Sequence, residues 1–448
     1  MRPKSQLVLK DTALTKPSPL PEFLAELKKN NCVSGYHYLP ARPPQFVDFP
    51  SGINDRLREA LEQRGIAKLY SHQARAFELA RDGKNIVIVT PTASGKTLCY
   101  NLPVLQRILE NSDSRALYLY PTKALTYDQL DDLMRWSNDL ANTEAIGVYS
   151  YDGDTPQDAR SSIRSRGHIV LSNPDMLHKG ILPHHTKWAR LFENLKFIVV
   201  DELHTYRGVF GSHLANLFRR VARICEFYGS RPQFICTSAT IANPQELAEK
   251  LTGVPFEFIR ESGAGEGEKH VFFYNPPVVN RQLGIRRSYI KEAEYIATAF
   301  LKRKIPAIVF ANSRLMTEIL VRYLKESLET GPVPQETVVG YRGGYLPNER
   351  RQIERGLRDG RIRGVVSTNA LELGIDIGSL DVSVLAGYPG TIASTWQRIG
   401  RAGRRSGMSV GVLVASSTPL DQFIVNHPDY FLNQPPEMGL INPDNIHI

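Results

Sequence analysis

Short runs of apolar and β-branched residues alternate with longer amphipathic stretches along most of the chain, and this alternation restricts the folds open to it. Strands that are apolar on both faces and alternate with helices are typical of a parallel sheet covered by helices. We therefore predict an α/β protein with two tandem lobes, each a mainly parallel sheet flanked by helices. The predicted strands cover 85–90, 116–120, 168–172, 197–200 and 233–237 in the first lobe, and 307–311, 338–341, 364–367, 382–386 and 410–415 in the second.

Changes in composition indicate where these lobes begin and end. The proline-rich N-terminus predicts an irregular arm with one short helix near 22–29, either an accessory docking segment or an ordinary disordered terminus. A glycine-rich segment at 262–269 predicts a turn between the lobes. The expected segments are the arm at 1–52, the first lobe at 53–262, the linker at 263–270, the second lobe at 271–427 and a C-terminal extension at 428–448.

The charge balance favours a polyanionic partner. Lys and Arg number 55 against 46 Asp and Glu, a net charge of +9 that bears on partners rather than on fold. The longest apolar runs have the length of a strand, far short of the ~20 residues of a membrane-spanning helix. Residues 1–16 lack the apolar core of a secretion signal. We therefore expect a cytoplasmic protein with no membrane partner.

Cysteine and histidine usage gives little support to a metal centre. The four cysteines stand singly, which fits reduced core thiols better than a metal site or a disulfide framework: Cys32, Cys99, Cys225 and Cys236. His184 and His185, with His178 nearby, could in principle bind a metal. A surface loop or helix start after Pro183 explains them more simply.

A phosphate-binding loop is predicted where the strand at 85–90 runs into residues 90–97 and a helical pattern follows. Backbone N–H groups and a helix N-terminus converge on a polyanion in this arrangement. Lys96 would neutralise the β and γ phosphates of a nucleotide, and the Thr97 hydroxyl would ligate Mg²⁺. The first position is Thr90, so that corner cannot use a backbone conformation reserved for glycine.

An acidic pair directly follows the apolar strand at 197–200. Carboxylates at the carboxyl end of a parallel strand face the crevice in which such sheets bind ligands. Asp201 would hold Mg²⁺, and Glu202 would orient and activate the attacking water. Taken alone, the pair would be better explained as two solvated acids at the end of a strand. The phosphate loop in the same lobe favours the catalytic function instead.

The second lobe contributes a row of arginines. Arg398, Arg401 and Arg404 recur every third residue, so a helix would present them on one face. Such a row can bind nucleic-acid phosphates, or Arg401 and Arg404 can reach across the cleft to the γ phosphate. Gly400 and Gly403 favour the second function, because a surface patch needs no close backbone approach.

In this order the motifs resemble those of a superfamily-two DExH-box helicase with two RecA-like lobes, over residues 69–419. Gln73 resembles the adenine-reading glutamine, residues 90–97 the Walker A motif and residues 201–204 the DExH box. The resemblance implies ATP and Mg²⁺ as cofactors, with these residues near the nucleotide: Tyr70, Thr92, Ala93, Ser94, Gly95, Gly374 and Asp376. It also implies a set that couples hydrolysis to lobe movement: His204, Ser238, Thr240 and Gln397.

Longer blocks are similar to the mitomycin repair factor A branch, bacterial relatives of the RecQ-like repair helicases. They lie at 121–125, 151–155, 173–178, 202–211 and 341–346. The resemblance implies a three-prime to five-prime helicase that acts on single-stranded and tailed duplex DNA in the repair of crosslinks or bulky adducts, and we expect a monomer. Members of the branch usually continue into a cysteine-rich, zinc-binding C-terminal domain. This chain has no cysteine after Cys236, so either it is a fragment or the gene product is short.

The same resemblance places a nucleic-acid strand across both lobes. The implied contacts are Pro121, Thr122, Lys123, Asn173, Pro174, Asn312, Ser313, Arg314 and Thr368. Hydroxyls, amides and cations bind phosphate oxygens without reading bases, although an ordinary cap or loop hydrogen bond explains each polar residue equally well alone. Tyr341 and Arg342 stand beside two glycines, a combination that suits either stacking on an unpaired base or a core tyrosine next to a turn.

Two other functions stay open. The core motifs are shared with RNA helicases, and backbone contacts distinguish RNA from DNA only where some group senses the 2′-OH. The chain could instead bind and remodel nucleic acid as an ATPase module that does not unwind by itself.

Overall fold

The computed structural model describes residues 20–141, 145–329, 334–375, 377–378, 380–403 and 407–448. Within these ranges the chain forms two α/β lobes, as the alternating pattern predicts. All ten predicted strands are present, with bounds within two residues of those expected. The N-terminal segment contains α1 (Leu20–Lys28), β1 (Val33–Leu39), β2 (Phe46–Val47) and α2 (Asp55–Gln63).

The first lobe alternates strands with helices. Its strands are β3 (Leu69–Tyr70), β4 (Ile86–Val89), β5 (Arg115–Leu119), β6 (Val148–Ser150), β7 (Ile169–Ser172), β8 (Leu195–Val200), β9 (Gln233–Ser238) and β10 (Glu257–Ile259). Its helices are α3 (Ser71–Arg81), α4 (Lys96–Glu110), α5 (Lys123–Asp139), α6 (Gln157–Arg166), α7 (Pro174–Met176), α8 (Ala189–Glu193), α9 (Gly208–Phe227) and α10 (Pro244–Thr252). Short π or 3₁₀ turns span Leu177–Ile181, Leu182–Trp188 and Leu203–Thr205.

The second lobe repeats this alternation. Its strands are β11 (Lys269–Tyr274), β12 (Val278–Asn280), β13 (Ile285–Arg286), β14 (Ala307–Phe310), β15 (Val338–Tyr341), β16 (Gly364–Ser367), β17 (Val382–Ala386) and β18 (Ser409–Val414). Its helices are α11 (Tyr289–Lys302), α12 (Arg314–Leu328), α13 (Pro347–Arg358), α14 (Ile392–Ile399), α15 (Pro419–Asn426) and α16 (Pro428–Asn433). Short 3₁₀ turns span Gln335–Thr337 and Asn369–Leu371.

Seven parallel strands form the sheet of the first lobe, in the order β10-β4-β9-β8-β5-β7-β6. β4, β5 and β7 are buried along their whole length, as expected of strands covered on both faces. Val89 of β4 pairs with Ser238 of β9, and Val200 of β8 pairs with Cys236 of the same strand. The segments that follow these three strands therefore meet at one edge of the sheet, where such folds bind ligands.

The second sheet has six parallel strands and one antiparallel edge strand, in the order β1-β11-β18-β17-β14-β16-β15. Phe310 at the end of β14 pairs with Ser367 of β16 and Leu385 of β17. The carboxyl ends of these strands therefore form a second edge at which loops from separate parts of the sequence lie together.

The N-terminal arm is more regular than its prolines predict. The helix expected near 22–29 is present as α1, whose Leu24 and Leu27 pack in the core of the second lobe with Phe300. β1, in a stretch expected to be irregular, pairs antiparallel with β11. That prediction was wrong because the prolines lie before and after β1, which keeps all its N–H donors.

The segment between the lobes pairs with the arm instead of forming a simple turn. Arg42 N–H donates to the Glu266 carbonyl at 2.9 Å, and Glu266 N–H donates to the Arg42 carbonyl at 3.0 Å. A Cβ atom at Gly263 would lie 2.3 Å from Ser71 Oγ. Two crossings between the lobes therefore run side by side, and Gly263 permits their close packing against α3.

The cysteines are free thiols, and most of them lie in the core. Cys99, Cys225 and Cys236 are buried, Cys32 is half-buried, and all four are free thiols. Burial raises the pKa of the Cys99 thiol to about 12. The prediction of core thiols is confirmed for the three buried residues. No helix in the described parts of the chain combines the length and the apolar character needed to cross a membrane.

Candidate nucleotide cleft and nucleic-acid interface

The predicted phosphate loop connects β4 to α4. Thr90 is buried, and its hydroxyl lies 2.6 Å from the Ser94 hydroxyl. Positive φ angles occur at Ala93 (63°) and Gly95 (77°) rather than at the first corner. The loop therefore turns without a glycine at Thr90, and Ala93 carries the less favourable backbone conformation.

Lys96 is the cation of this loop. Its amine donates to the carbonyls of Thr90 at 2.7 Å and Pro91 at 2.8 Å. Burial lowers the pKa of the amine, and the negative charges of Glu202 and Asp201 act in the opposite direction. The lysine and the acidic pair therefore share one electrostatic environment, with Thr97 next along α4.

Gln73 supports the loop from α3. Its amide N–H donates to the Gly95 carbonyl at 3.0 Å, and its carbonyl oxygen accepts from Tyr70 N–H at 3.0 Å. A Cβ atom at position 95 would lie 2.6 Å from Gln73 Nε2, so both the φ angle and the contact require glycine. The Tyr70 ring stacks on Phe46 with ring centroids 5.1 Å apart. Phe46 was missed from sequence because it lies in the arm, 24 residues before Tyr70.

Asp201 and Glu202 directly follow β8, and both side chains are buried. Asp201 Oδ1 accepts hydrogen bonds from Glu202 N–H at 2.9 Å and from the Thr237 hydroxyl. Burial and the neighbouring Glu202 charge raise the pKa of Asp201 to about 7. Glu202 has a φ of 53°, a second left-handed non-glycine residue in the cleft.

Direct hydrogen bonds join the two lobes at this cleft. Gly374 N–H donates to Glu202 Oε1 at 3.2 Å, and the Thr92 hydroxyl donates to the Gly400 carbonyl at 3.2 Å. A Cβ atom at position 400 would lie 2.6 Å from Thr92 Oγ1. The expectation that Gly400 serves a close backbone approach is therefore confirmed, and the partner is the phosphate loop itself.

His204 forms a further link between the lobes. Its Nε2 lies 2.8 Å from the side-chain amide of Gln397, and its Nδ1 accepts from Ala239 N–H at 3.3 Å. Glu202 Oε2 lies 3.6 Å from the same Nδ1. Burial lowers the pKa of His204, which keeps the ring neutral at neutral pH. One side chain thus contacts the acidic pair, the segment after β9 and the second lobe.

The predicted arginine row does not lie on one helical face. α14 ends at Ile399, so Arg401 lies in the turn beyond it. Arg401 is fully buried and donates to the carbonyls of Glu372 (2.6 and 3.1 Å) and Ile375 (3.1 Å). Its positive charge lowers the pKa of Lys96, which places it within electrostatic range of the phosphate loop.

The other members of the predicted set have different positions. Arg398 is on α14 and donates to the Glu372 carboxylate at 2.9 Å, which also accepts from the Ser394 hydroxyl at 2.6 Å. Glu372 was not singled out from the sequence, although it lies between Thr368 and Gly374, two residues that the family resemblance implied. Arg404 and Asp376 lie outside the described residues.

A cavity of about 240 Å³ lies beside the contact of Thr92 with Gly400 and is lined by both the phosphate loop and α14. The predicted residues in its lining are Thr92, Ala93, Thr240, Gln397 and Gly400. Ser238 is buried and does not line the cavity, and its hydroxyl donates to the Ala239 carbonyl at 2.7 Å. Thr97 and Asp201 do not line this cavity, but Thr97 is next to Lys96 and the charge of Asp201 acts on the Lys96 amine. Their oxygens are ligands of the kind that Mg²⁺ prefers, so the two residues could hold this ion beside a triphosphate bound by the loop. A bound cation would also lower the raised pKa of Asp201.

Four of the predicted nucleic-acid contacts are caps at the carboxyl ends of strands. Thr122 Oγ1 accepts a backbone N–H at 3.4 Å before α5, and Asn173 Oδ1 accepts one at 2.9 Å before α7. Ser313 and Thr368 do the same after β14 and β16, at 3.2 and 3.4 Å. β5 and β7 are neighbours, as are β14 and β16, so each lobe presents two adjacent capped segments along one edge. Pro121 precedes the first cap, and Pro174 is the first residue of α7.

The cationic members of the set have different surroundings. Lys123 pairs with Asp154 at 2.7 Å, and Arg342 pairs with Glu318 at 2.6 Å. Asn312 and Arg314 are exposed beside Ser313. A strand would therefore meet Arg314 directly, whereas Lys123 and Arg342 would first exchange a carboxylate for a phosphate.

Tyr341 belongs to the core of the second lobe. The side chain is buried, and its hydroxyl donates to Glu354 Oε1 at 2.7 Å. Burial and the Glu354 charge raise its pKa above the usual range. Of the two functions that the sequence allowed, the structure therefore supports the core tyrosine and not base stacking. Tyr345 lies closer to the surface, under the Arg342 guanidinium at 4.8 Å from its ring centroid.

The histidine cluster does not assemble into a metal site. His178 Nδ1 lies 2.9 Å from an Arg220 guanidinium nitrogen, and His185 Nδ1 lies 3.0 Å from the Tyr228 hydroxyl. Across the described ranges, no three His, Cys, Asp or Glu side chains come together in a way that could hold a metal ion.

The raised pKa of Asp201 predicts a pH-dependent stability. Between about pH 4 and pH 7 the folded chain binds a proton at Asp201 that the unfolded chain has released, so stability at this residue falls as the pH rises through that window. Asp201→Asn keeps an oxygen for Thr237 and carries no charge. We expect it to stabilise the protein by roughly 1–3 kcal/mol at pH 8 and by much less at pH 5. Melting temperatures at both pH values, with the exposed Asp48→Asn as control, test this, and an equal shift at both would contradict it.

Comparison with known proteins gives the family. The DEAD/DEAH box helicase family matches residues 70–247, and the helicase conserved C-terminal domain family matches residues 291–406. The chain is 55% identical over 435 residues to the uncharacterized ATP-dependent helicase YprA of Bacillus subtilis. The aligned residues cover 97% of this chain and 57% of YprA. It is 37% identical to the ATP-dependent helicase hrq1 of Schizosaccharomyces pombe, over 94% of this chain and 41% of hrq1. The chain thus spans about half the length of these relatives.

Solved structures agree with this assignment. The crystal structure of the DUF1998 helicase MrfA bound to DNA matches with a TM-score of 0.92 and 56% identity, over 96% of this chain and 57% of that one. The structure of MrfA bound to DNA and AMPPNP matches with a TM-score of 0.92 and 55% identity, over 95% of this chain and 59% of that one. The resemblance drawn from the motifs is confirmed: the chain belongs to the DEAD/DEAH box helicases with a helicase conserved C-terminal domain, in the family of YprA, MrfA and Hrq1.

Proposed function

We propose that this chain is the motor core of an ATP-dependent DNA helicase or translocase that moves three-prime to five-prime and acts in the repair of crosslinked or bulky-adduct DNA. The names of the relatives support helicase activity, and the MrfA structures that hold DNA and AMPPNP support the two ligands. The polarity and the repair role rest on the resemblance to the mitomycin repair factor A branch.

The observation that carries the proposal is the set of three hydrogen bonds across the cleft. The first bond joins Thr92 of the phosphate loop to Gly400, and the second joins Glu202 of the acidic pair to Gly374. The third joins His204, one of the predicted coupling residues, to Gln397. Each functional part of the first lobe therefore has its own partner in the second lobe. Closing the cleft and assembling the catalytic groups are one event, which is what a motor driven by nucleotide binding requires.

The residues of the cleft have distinct roles in this proposal. Lys96 binds the β and γ phosphates, and Thr97 and Asp201 hold Mg²⁺, which supplies charge neutralisation at the phosphates. Glu202 orients the attacking water and accepts its proton. Arg401 stabilises the charge that develops on the γ phosphate, together with Arg404. Gln73 and Tyr70 contact the base.

The strand would follow the two edges where the capped segments lie. Backbone N–H groups at the starts of helices suit phosphate oxygens, and these edges belong to different lobes. A strand that spans both edges would be pulled along as the lobes approach and separate. The contacts proposed for it avoid the bases, which fits movement along any sequence.

Unwinding of tailed duplexes is the direct test of this function. We expect the wild-type chain to separate a duplex with a three-prime tail in the presence of ATP, faster than one with a five-prime tail. Glu202→Gln and Lys96→Ala should abolish ATP turnover and leave single-strand binding within about twofold, because neither residue lies on the proposed strand path. Activity only on RNA strands would support the RNA helicase instead. Strand-stimulated turnover without separation of any duplex would support a remodelling module.

The approach of Gly400 to Thr92 predicts a compensating pair of substitutions. Gly400→Ala places a methyl group 2.6 Å from Thr92 Oγ1 and should hold the lobes apart, with a fall in kcat of about tenfold or more. Thr92→Ala removes the clashing oxygen, so the double variant should recover most of that loss. A double-mutant cycle of strand-stimulated ATP turnover measures the coupling. Additive effects of the two changes would show that the contact does not limit closure.

Phosphate contacts predict a steep salt dependence of strand binding. Counterion release from about four phosphates gives a slope near −3 for log K against log salt, a loss of roughly 50-fold between 50 and 200 mM. Arg314→Gln should reduce the slope by about 0.7, the share of one contact. Fluorescence anisotropy with a labelled single strand measures both values, and Arg361→Gln, away from the proposed path, serves as control. A flat dependence in the wild type would refute a channel that tracks the backbone.

A further inference from the structure

The C-terminal extension crosses from one lobe to the other. α16 packs on the second lobe through Phe431, which contacts Trp396 and Phe273 with ring centroids 5.8 and 5.6 Å apart. The tail beyond it, residues 434–444, then lies on the first lobe. Gly208 N–H donates to the Leu440 carbonyl at 2.7 Å.

Several further contacts fix the tail to the first lobe. Asn243 both donates to the Gly439 carbonyl, at 3.3 Å, and accepts from Gly439 N–H, at 2.7 Å. Asn442 N–H donates to the Ser212 hydroxyl at 2.9 Å. Ile441 packs against the apolar core of the first lobe. The tail is therefore a third crossing between the lobes, separate from the paired crossings of the arm and the linker.

Glu437 is the residue of the tail that faces the cleft machinery. Its carboxylate accepts from Ile392 N–H at 2.7 Å and from Ala393 N–H at 3.1 Å. These are the first two residues of α14. Its own carbonyl accepts from Ala242 N–H, at 3.4 Å, two residues after Thr240. One residue thus joins the start of α14 to the segment after β9 in the other lobe.

α14 carries most of what the second lobe brings to the cleft. Gln397 and Arg398 lie on it, and Gly400 and Arg401 follow directly after its last turn. Ala393, one of the two residues that Glu437 binds, lines both the cavity beside the phosphate loop and a second cavity of about 310 Å³ on the side of Thr122. A helix of only eight residues depends strongly on its end contacts, and a carboxylate that accepts two N–H groups at its start is a favourable one.

We infer that Glu437 is a positioning residue for ATP hydrolysis, which it serves by holding α14 in register with the first lobe. This inference rests on the proposed motor function. Because the tail is bound to the first lobe and its carboxylate is bound to α14, the tail fixes how far Gln397 and Arg401 stand from the phosphate loop. Glu437 itself touches no reacting group, so its effect reaches the reaction through α14.

The test compares four variants of the full 448-residue chain with the wild type. Glu437→Gln replaces one acceptor oxygen by a donor, so only one of the two N–H groups stays bound. Glu437→Asp keeps the charge. Gly439→Val should strain the contact of the tail with the first lobe, because a Cβ atom there would lie 2.6 Å from Cδ2 of the buried Leu247. Asp444→Asn is the matched control, since it removes the ion pair of the tail with Arg219 (2.7 Å) and leaves α14 untouched.

Strand-stimulated ATP turnover and melting temperature are measured for each. We expect Glu437→Gln to lower kcat about three- to tenfold with the KM for ATP within about twofold, because the first lobe still binds the nucleotide. Gly439→Val should likewise lower kcat with little change in the KM for ATP. Glu437→Asp should have a higher kcat than Glu437→Gln, because it keeps the charge, and Asp444→Asn should have the kcat of the wild type. Wild-type kcat in Glu437→Gln overturns the inference. A loss of kcat that only follows a lower melting temperature also overturns it, because the role is then structural.

Hydrogen–deuterium exchange of residues 392–399 separates this inference from the proposed function. Glu437→Gln should speed exchange there while Asp444→Asn does not, whether or not the wild type hydrolyses ATP. A wild type without strand-stimulated turnover would refute the motor function, whereas faster exchange in Glu437→Gln would still show that Glu437 holds α14 in place. Unchanged exchange in Glu437→Gln would refute the positioning role alone.

Discussion

The cleft depends on keeping one half-buried lysine close to two buried carboxylates and one buried arginine. Each of these charges would be costly to bury alone, and their mutual attraction together with hydrogen bonds offsets that cost. Asp201 shows the balance, because burial beside Glu202 raises its pKa although Thr237 and a backbone N–H both favour its charged form. A divalent cation and a polyphosphate would complete this set of charges. The site is therefore assembled for a ligand that carries both signs.

Two of the three hydrogen bonds across the cleft use backbone groups of the second lobe. Gly374 and Gly400 offer an N–H and a carbonyl to Glu202 and Thr92, and in both places a side chain would crowd the contact. Backbone groups have little freedom once the fold has formed, so they can respond to closure without a search among rotamers.

Among the residues that the structure describes, the chain passes between the lobes three times, and hydrogen bonds hold each passage in place. The arm and the linker form an antiparallel pair through Arg42 and Glu266, and the tail lies against α9 and α10. In the proposed motor, lobe movement would therefore bend paired segments rather than one free linker. Such an arrangement would restrict the directions in which the cleft opens, and it would connect the N-terminal arm to the same movement.

Residue patterns alone predict the alternation of strands and helices, the position of the phosphate loop and the acidic pair, and the family. These are local properties, set by apolar periodicity and by residue types next to strand ends, so ten strands and the positions of Lys96 and Asp201 beside them follow from the sequence. Other features depend on distant neighbours and appear only in the folded chain. β1 completes the sheet of the second lobe, and Tyr341 is buried in the core of that lobe. Arg401 lies beyond the end of α14, and the Glu437 carboxylate binds the start of that helix. None of these has a local signal, because each depends on which surfaces meet when two lobes fold around three crossings of one chain.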